Sequence, residues 1–204
     1  MTVPWQHETL ILASKSASRR AMLDAAGIAY EVVVADIDEA AIKADMQLSG
    51  ADIRAITLGL ARAKAESVSR LHPHRWVLGS DSAVSVEGQF YSKPATREGA
   101  AAHLRAFSGR MMTLDSAIVL AKGGEMRDYA SDDAHLEVRC LSDAFIDQYL
   151  SAEWPAIAAC VGCFRIEGLG AHLFECITGS QFTILGMPLL PLLDRMREQG
   201  MMTS

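Results

Sequence analysis

Apolar and polar positions keep changing period along this chain. Leu10 to Ala13 is an unbroken apolar run too short for a helix and closed by serines, so it reads as a buried strand. A helix follows from about Ser18, with Ser16 or Ser18 as its cap, and stops at Gly27. Residues 29–36 are rich in β-branched residues and read as a second strand. A short helix over 38–47 breaks near Ser49-Gly50, and a longer one runs from Ala51 to Arg70 with Ile53, Ile56, Leu60 and Val68 as its apolar stripe. Residues 76–86 form an apolar strand with a polar patch at its centre, and Gly88 marks a turn.

Past Lys93-Pro94 the pattern predicts a helix to about Phe107. A strand from Met111 then ends at the Gly123-Gly124 turn, with 128–141 as its hairpin partner. Ser142 caps a helix to about Ala152. Residues 163–179 read as a strand, a glycine-rich turn, then a strand or short helix, and Pro188 opens a last helix over 188–199. Interleaved strands and helices predict an α/β class, and the 111–140 hairpin requires a mixed sheet. With no linker in view, one domain is expected over residues 1–204.

Composition narrows the function classes. The 204 residues are 50% hydrophobic and 22% charged, with a formal net charge of −6. An acidic surface is poorly suited to duplex nucleic acid, so no nucleic-acid partner is expected, and a local basic cluster points to a small anion. No apolar run reaches membrane-span length, and the opening residues have neither a basic nor an apolar signal region. A cytoplasmic location without membrane attachment is the resulting expectation. The four cysteines include one C-x-x-C, Cys160 to Cys163, in an apolar context that favours buried free thiols over metal or redox chemistry. His72 and His74 flank Pro73 in a loop and read as solvated.

Five features carry candidate chemistry. The stretch from Ser14 to Arg20 sets Ser14, Ser16, Ser18, Arg19 and Arg20 at a strand-to-helix junction, where free amides and guanidinium forks suit phosphate oxygens. Taken alone, it fits a capped surface helix with solvated arginines equally well. Lys64 falls on the apolar stripe, so its ammonium must snorkel outward or enter a polar cleft. Asp81 interrupts an apolar strand between Ser80 and Ser82, and Gly79 before it admits close approach of a backbone or ligand. Asp36, Asp38 and Glu39 gather just past the second strand, and Lys93 precedes a proline on a stiffened loop. Carboxylates facing basic groups suit a Mg²⁺ or Mn²⁺ that bridges a polyphosphate. Neither a Walker A loop nor a G-x-G-x-x-G is present.

Five motifs in order resemble the Maf-type nucleoside triphosphate pyrophosphatases. They are a stretch close to L-I-L-A-S-x-S-x-R-R-x-x-L from Leu10 to Leu23, Gly79-Ser80-Asp81, Ser92-Lys93-Pro94, Leu104 to Arg110, and Leu185-Gly186-Met187-Pro188. The resemblance implies a long mixed sheet flanked by helices, two lobes with a central cleft, and in many members a homodimer. It also implies hydrolysis of a nucleoside triphosphate to the monophosphate and pyrophosphate, with a divalent cation, in clearing the nucleotide pool. By the same resemblance Asp81 is the proton acceptor. Ser14, Ser16, Arg19, Arg20, Lys64 and Lys93 handle phosphates, and Glu39 joins Asp81 at the metal. Glu167, in Phe164-Arg165-Ile166-Glu167-Gly168, resembles the branch that acts on 7-methyl-GTP. A carboxylate there accepts from guanine N1–H and N2–H₂, whereas a glutamine suits a pyrimidine. Departures from the family pattern are Ser82, Ser92 and Met111-Met112. The alternative reading is a non-catalytic nucleotide-binding regulator of septum formation or cell division.

Overall fold

The structure, a computed structural model, describes residues 4–203. The reading that no targeting segment opens the chain falls in part on residues 1–3, outside the described range. In chain order the elements are β1 (Leu10–Leu12), α1 (Ala17–Ala25), β2 (Tyr30–Val32), α2 (Glu39–Leu48), α3 (Ile53–Leu71), β3 (Val77–Val86), β4 (Gln89–Tyr91), α4 (Arg97–Phe107), β5 (Met111–Lys122), β6 (Glu125–Val138), α5 (Asp143–Glu153), β7 (Phe174–Thr178), α6 (Gln181–Ile184) and α7 (Leu189–Glu198). Two 3₁₀ turns lie between α5 and β7. Among the described residues no helix is long and apolar enough to cross a membrane.

The seven strands form one sheet in the order β2-β1-β3-β5-β6-β7, with β4 pairing β3 off that path. β1 runs parallel to both β2 and β3, while β3–β4 and β6–β7 are antiparallel. The expected mixed α/β sheet flanked by helices is therefore present. The chain divides into two compact units, each assembled from segments far apart in sequence. The first holds residues 1–82, 115–132 and 181–204; the second holds 83–114 and 133–180.

The first unit is a three-layer sandwich. Alternate residues of a strand point to opposite faces. Leu10 and Leu12 of β1, Leu78 of β3, and Ile118 and Leu120 of β5 therefore bury one face against Met22 and Leu23 of α1 and Leu192 and Met196 of α7. Ala117, Val119 and Ala121 of β5 bury the other against Ala61 and Ala65 of α3. Each fully buried leucine is worth about 1.5–3 kcal/mol. Small residues on α3 and β5 let that helix come close to the sheet. At Gly79 of β3 the approach leaves no room at all, because a Cβ there would lie 2.2 Å from the Ala61 carbonyl oxygen and 2.8 Å from both N and Cβ of Ala65.

In the second unit α4 and α5 pack together, capped by Thr96 and Ser142. Tyr91 meets the rings of His103 and Phe107 edge-on, and Phe164 meets Phe174 the same way.

Several expected elements differ. β2 stops at Val32 because its partner β1 ends at Leu12, where the chain turns into α1. α1 starts at Ala17, so Ser16 and not Ser18 is the cap, and its hydroxyl accepts from the Arg19 amide. Residues 163–168 form no strand; they wind into turns before the second 3₁₀ segment. β4 and α6 were not expected.

Candidate active site

The first unit gathers six of the predicted residues. β1 delivers Ser14 and α1 delivers Ser16 and Arg19; β3 carries Asp81, and α2 and α3 bring Glu39 and Lys64. The tight packing of α3 at Gly79 explains the central contact. Lys64 lies between Ala61 and Ala65 on the helix, and Asp81 lies two residues past Gly79 on the strand. The Lys64 ammonium donates to Asp81 Oδ1 at 2.7 Å and lies 2.9 Å from Glu39 Oε2. The lysine on the apolar stripe thus does not snorkel to solvent. It is buried, and it holds two carboxylates at one point.

Arg19 is buried as well, and its guanidinium is committed to the protein. Nε donates to the Gly186 carbonyl at 2.9 Å. Nη1 donates to the Ser80 carbonyl at 2.8 Å and to Ser14 Oγ at 3.1 Å, and Nη2 to Ser82 Oγ at 3.3 Å. One planar fork therefore ties α1, β3 and the turn after α6 together. Burial lowers the Arg19 pKa, and the negative charges of Asp81 and Glu39 work in the opposite sense. Those charges place Arg19, Asp81 and Glu39 in one electrostatic neighbourhood.

The serines knit the same junction. Ser18 Oγ donates to the Leu185 carbonyl at 3.0 Å and lies 3.1 Å from Ser16 Oγ, and the Ser16 amide donates to Ser14 Oγ at 3.3 Å. Ser80 Oγ donates to the Gly186 carbonyl at 3.3 Å. Gly186 has φ +97°, and a Cβ there would come within 3.2 Å of Ser82 Oγ, so glycine alone fits without strain. Sequence reasoning did not find this role for Ser18, Ser80, Ser82 and Gly186. The Leu185-Gly186-Met187-Pro188 motif marked the place, but carbonyl acceptors leave no side-chain signature.

Other predicted residues sit elsewhere. Arg20 is exposed on α1, as is Lys15 before it. Asp38 caps α2 by accepting from the Ala41 amide at 2.9 Å, a structural use of that carboxylate. Lys93 and Glu167 belong to the second unit and are exposed. Burial chiefly raises the pKa of the Cys160 thiol; the charge of Glu167 raises it further, and the charges of Arg165 and Lys93 lower it. Cys160 and Cys163 are free thiols, the first half-buried and the second buried; the free Cys140 and Cys176 are exposed.

A family model described as Maf-like protein matches residues 9–199. The chain belongs to that family. A 7-methyl-GTP pyrophosphatase of Rhizobium meliloti (strain 1021) is 46% identical over 191 residues, covering 94% of this chain and 96% of that protein. A nucleoside triphosphate pyrophosphatase of Sphingopyxis alaskensis is 44% identical over 194 residues, covering 95% and 98%. Among solved structures, the Ham1 protein of Staphylococcus aureus aligns with a TM-score of 0.44 at 14% identity, over 64% of this chain and 72% of that one.

In this Maf-like chain the donor set fits a hard divalent cation. Asp81 and Glu39 offer carboxylate oxygens to the same point. Among the described residues no group of three or more histidine, cysteine, aspartate or glutamate side chains converges as a complete ligand shell. Mg²⁺ is commonly held by one or two carboxylates, its shell completed by water and substrate phosphates, and this pair can supply that share.

Proposed function

We propose that this chain hydrolyses nucleoside triphosphates to the monophosphate and pyrophosphate, with a divalent cation, and that its preferred substrate carries a 7-methylated guanine. The observation that carries the reading is Lys64 held between Asp81 and Glu39 beside the Arg19 bracket. Family membership and relatives named for this activity at 44–46% identity support it.

Charge balance supports the metal. Arg19 and Lys64 are matched by Asp81 and Glu39, so the four side chains sum to no net charge. A triphosphate of about four negative charges gains little from a neutral cluster, whereas charge-assisted contacts to its oxygens are strong. Asp81 and Glu39 would hold a divalent cation that offsets the nucleotide's charge. When bound it would supply Lewis-acid polarisation of the phosphoryl group.

The chain's own residues do the rest. Water attacks the α-phosphorus, the bond to the β-bridging oxygen breaks, pyrophosphate leaves, and the water proton passes to a carboxylate oxygen of Asp81. Lys64, released from one of its carboxylates, neutralises charge as it builds on the leaving group. Arg19, its donors occupied, contributes its charge and the placement of Ser14 and of the β3 end. Arg20 is an exposed cation available to phosphate, and Lys93 is an exposed cation of the second unit assigned the same role. Glu167 accepts from the guanine Watson–Crick edge, and a methylated, cationic base strengthens that contact.

The test is a panel of nucleoside triphosphates, 7-methyl-GTP included, incubated with Mg²⁺ or Mn²⁺ and assayed for pyrophosphate. Release of pyrophosphate that stops on chelation and returns with metal is expected. Asp81→Asn should cut turnover at least about a hundredfold with the fold intact. Near wild-type turnover in that variant, or orthophosphate in place of pyrophosphate, would defeat the proposal.

A further inference from the structure

An ion pair in the second unit, its carboxylate buried and its guanidinium partly exposed, includes Arg165, two residues before the residue assigned to the base. Arg165 Nε donates to Glu153 Oε2 at 2.9 Å, and Arg165 Nη2 donates to Glu153 Oε1 at 3.1 Å. The Glu153 side chain is 4% exposed, while Glu167 is exposed. The chain from Arg165 to Gly170 is tightly wound. The Gly168 amide donates to the Arg165 carbonyl at 3.1 Å, and a Cβ at Gly170 would come within 2.5–2.9 Å of the Arg165 backbone. A Cβ at Gly168 would touch Glu153 Oε1 and Arg165 Nη2, each at 3.9 Å. Glu167 therefore sits two residues along the chain from a guanidinium whose pKa is raised chiefly by the Glu153 hydrogen bond and charge, and further by the charge of Glu167.

Two carboxylates thus stand near one guanidinium, and Glu153 has both contacts. A bidentate fork outweighs a single one, and a buried carboxylate without its partner costs far more than an exposed one in water. We infer that Glu153 is a specificity-determining positioning residue: by engaging Arg165 it leaves the Glu167 carboxylate unquenched for a cationic purine base. The inference rests on the reading of Glu167 given above. A neutral residue at 153 releases Arg165, which then pairs with Glu167 and spends the carboxylate inside the protein.

The experiment compares kcat/KM for 7-methyl-GTP and GTP in the wild type, Glu153→Gln, and Glu153→Gln with Arg165→Gln, each checked for folding by thermal melting. Glu153→Gln should lower the preference for the methylated base about tenfold or more, the scale of one hydrogen bond to a charged group. The double variant should recover most of it, because the competing cation is gone. A role confined to packing would not be reversed by a second truncation. Should Glu153→Gln fail to fold, Glu153→Asp keeps the charge, shortens its reach and should show a smaller loss that Arg165→Gln reverses. An unchanged preference in the single variant, or equal loss in both, overturns the inference. A wild type that releases pyrophosphate without preferring the methylated base also overturns it and leaves the pyrophosphatase reading standing. A wild type that releases none defeats that reading and the inference together.

Discussion

Replacing Gly79 by alanine adds a single methyl group at the point where α3 touches β3. The new Cβ would stand 2.2 Å from a backbone carbonyl oxygen and 2.8 Å from a backbone nitrogen, neither at the end of a flexible side chain. Ordinary contact needs about 3.5 Å, so a helix of 19 residues must retreat by roughly 1 Å. Overpacking of this kind costs about 1–3 kcal/mol. Against it stands the reduced freedom of the unfolded chain, worth about 0.4–1 kcal/mol in favour of alanine. The clash wins. For a chain of this size 1 kcal/mol moves Tm by about 2–4 °C, so a fall of roughly 2–8 °C is expected.

The functional consequence is larger than the structural one. Lys64 rides on the part of α3 that must move, and its ammonium is 2.7 Å from Asp81. A displacement of about 1 Å in a positioned group can cost about a hundredfold in rate. Thermal melting and pyrophosphate release on the same preparation separate the two effects. A Gly79→Ala protein with wild-type Tm and wild-type turnover would refute the claim that close packing at this glycine sets the Lys64–Asp81 contact.

Two further outcomes follow from the same geometry. Arg19→Lys keeps the charge but cannot span the Ser80 and Gly186 carbonyls, so at least one of these buried acceptors loses its guanidinium donor; about 1–3 kcal/mol and a Tm fall of roughly 2–12 °C are expected, and a melt indistinguishable from wild type would contradict it. Burial, with a smaller contribution from the Cys160 charge, pushes the Cys163 thiol up to about 12, so at pH 8 only about one molecule in ten thousand carries the reactive thiolate. Iodoacetamide on the native protein should modify the exposed Cys140 and Cys176 first and reach Cys163 only after denaturation, as mass spectrometry of timed digests would show.

The parts of the site that the sequence disclosed were those that broke a hydrophobic period. Lys64 was out of place on a helical stripe and Asp81 in an apolar strand, and the fold joins them at 2.7 Å. The Arg19 bracket was not legible. Its partners are the carbonyls of Ser80 and Gly186, and an arginine beside serines reads alike whether its guanidinium points inward or out. The missed β4 has a similar origin. Glu87 and Gly88 both take positive φ, 51° and 77°, in the two-residue turn that joins Val86 to Gln89. A glutamate is so uncommon in that conformation that the usual asparagine-glycine hairpin signal is lacking.

Glu153 shows how far the periodicity argument extends. It follows Ile146, Tyr149 and Leu150 at helical spacing and is buried with them, as Lys64 is buried with Leu60 and Val68. Each is a charge on an apolar stripe, and each has found opposite charge. The pattern therefore announces a partner without saying what the partner does. What separates the two is the commitment of the charges. Both Glu153 oxygens are taken by one guanidinium in a closed pair. Lys64 is instead shared between a carboxylate that is 14% exposed and another that is 54% exposed. An ammonium divided between two carboxylates can give one up to an incoming phosphate or cation at less cost than a bidentate pair can open. Chemistry is thus assigned to the divided contact and positioning to the closed one.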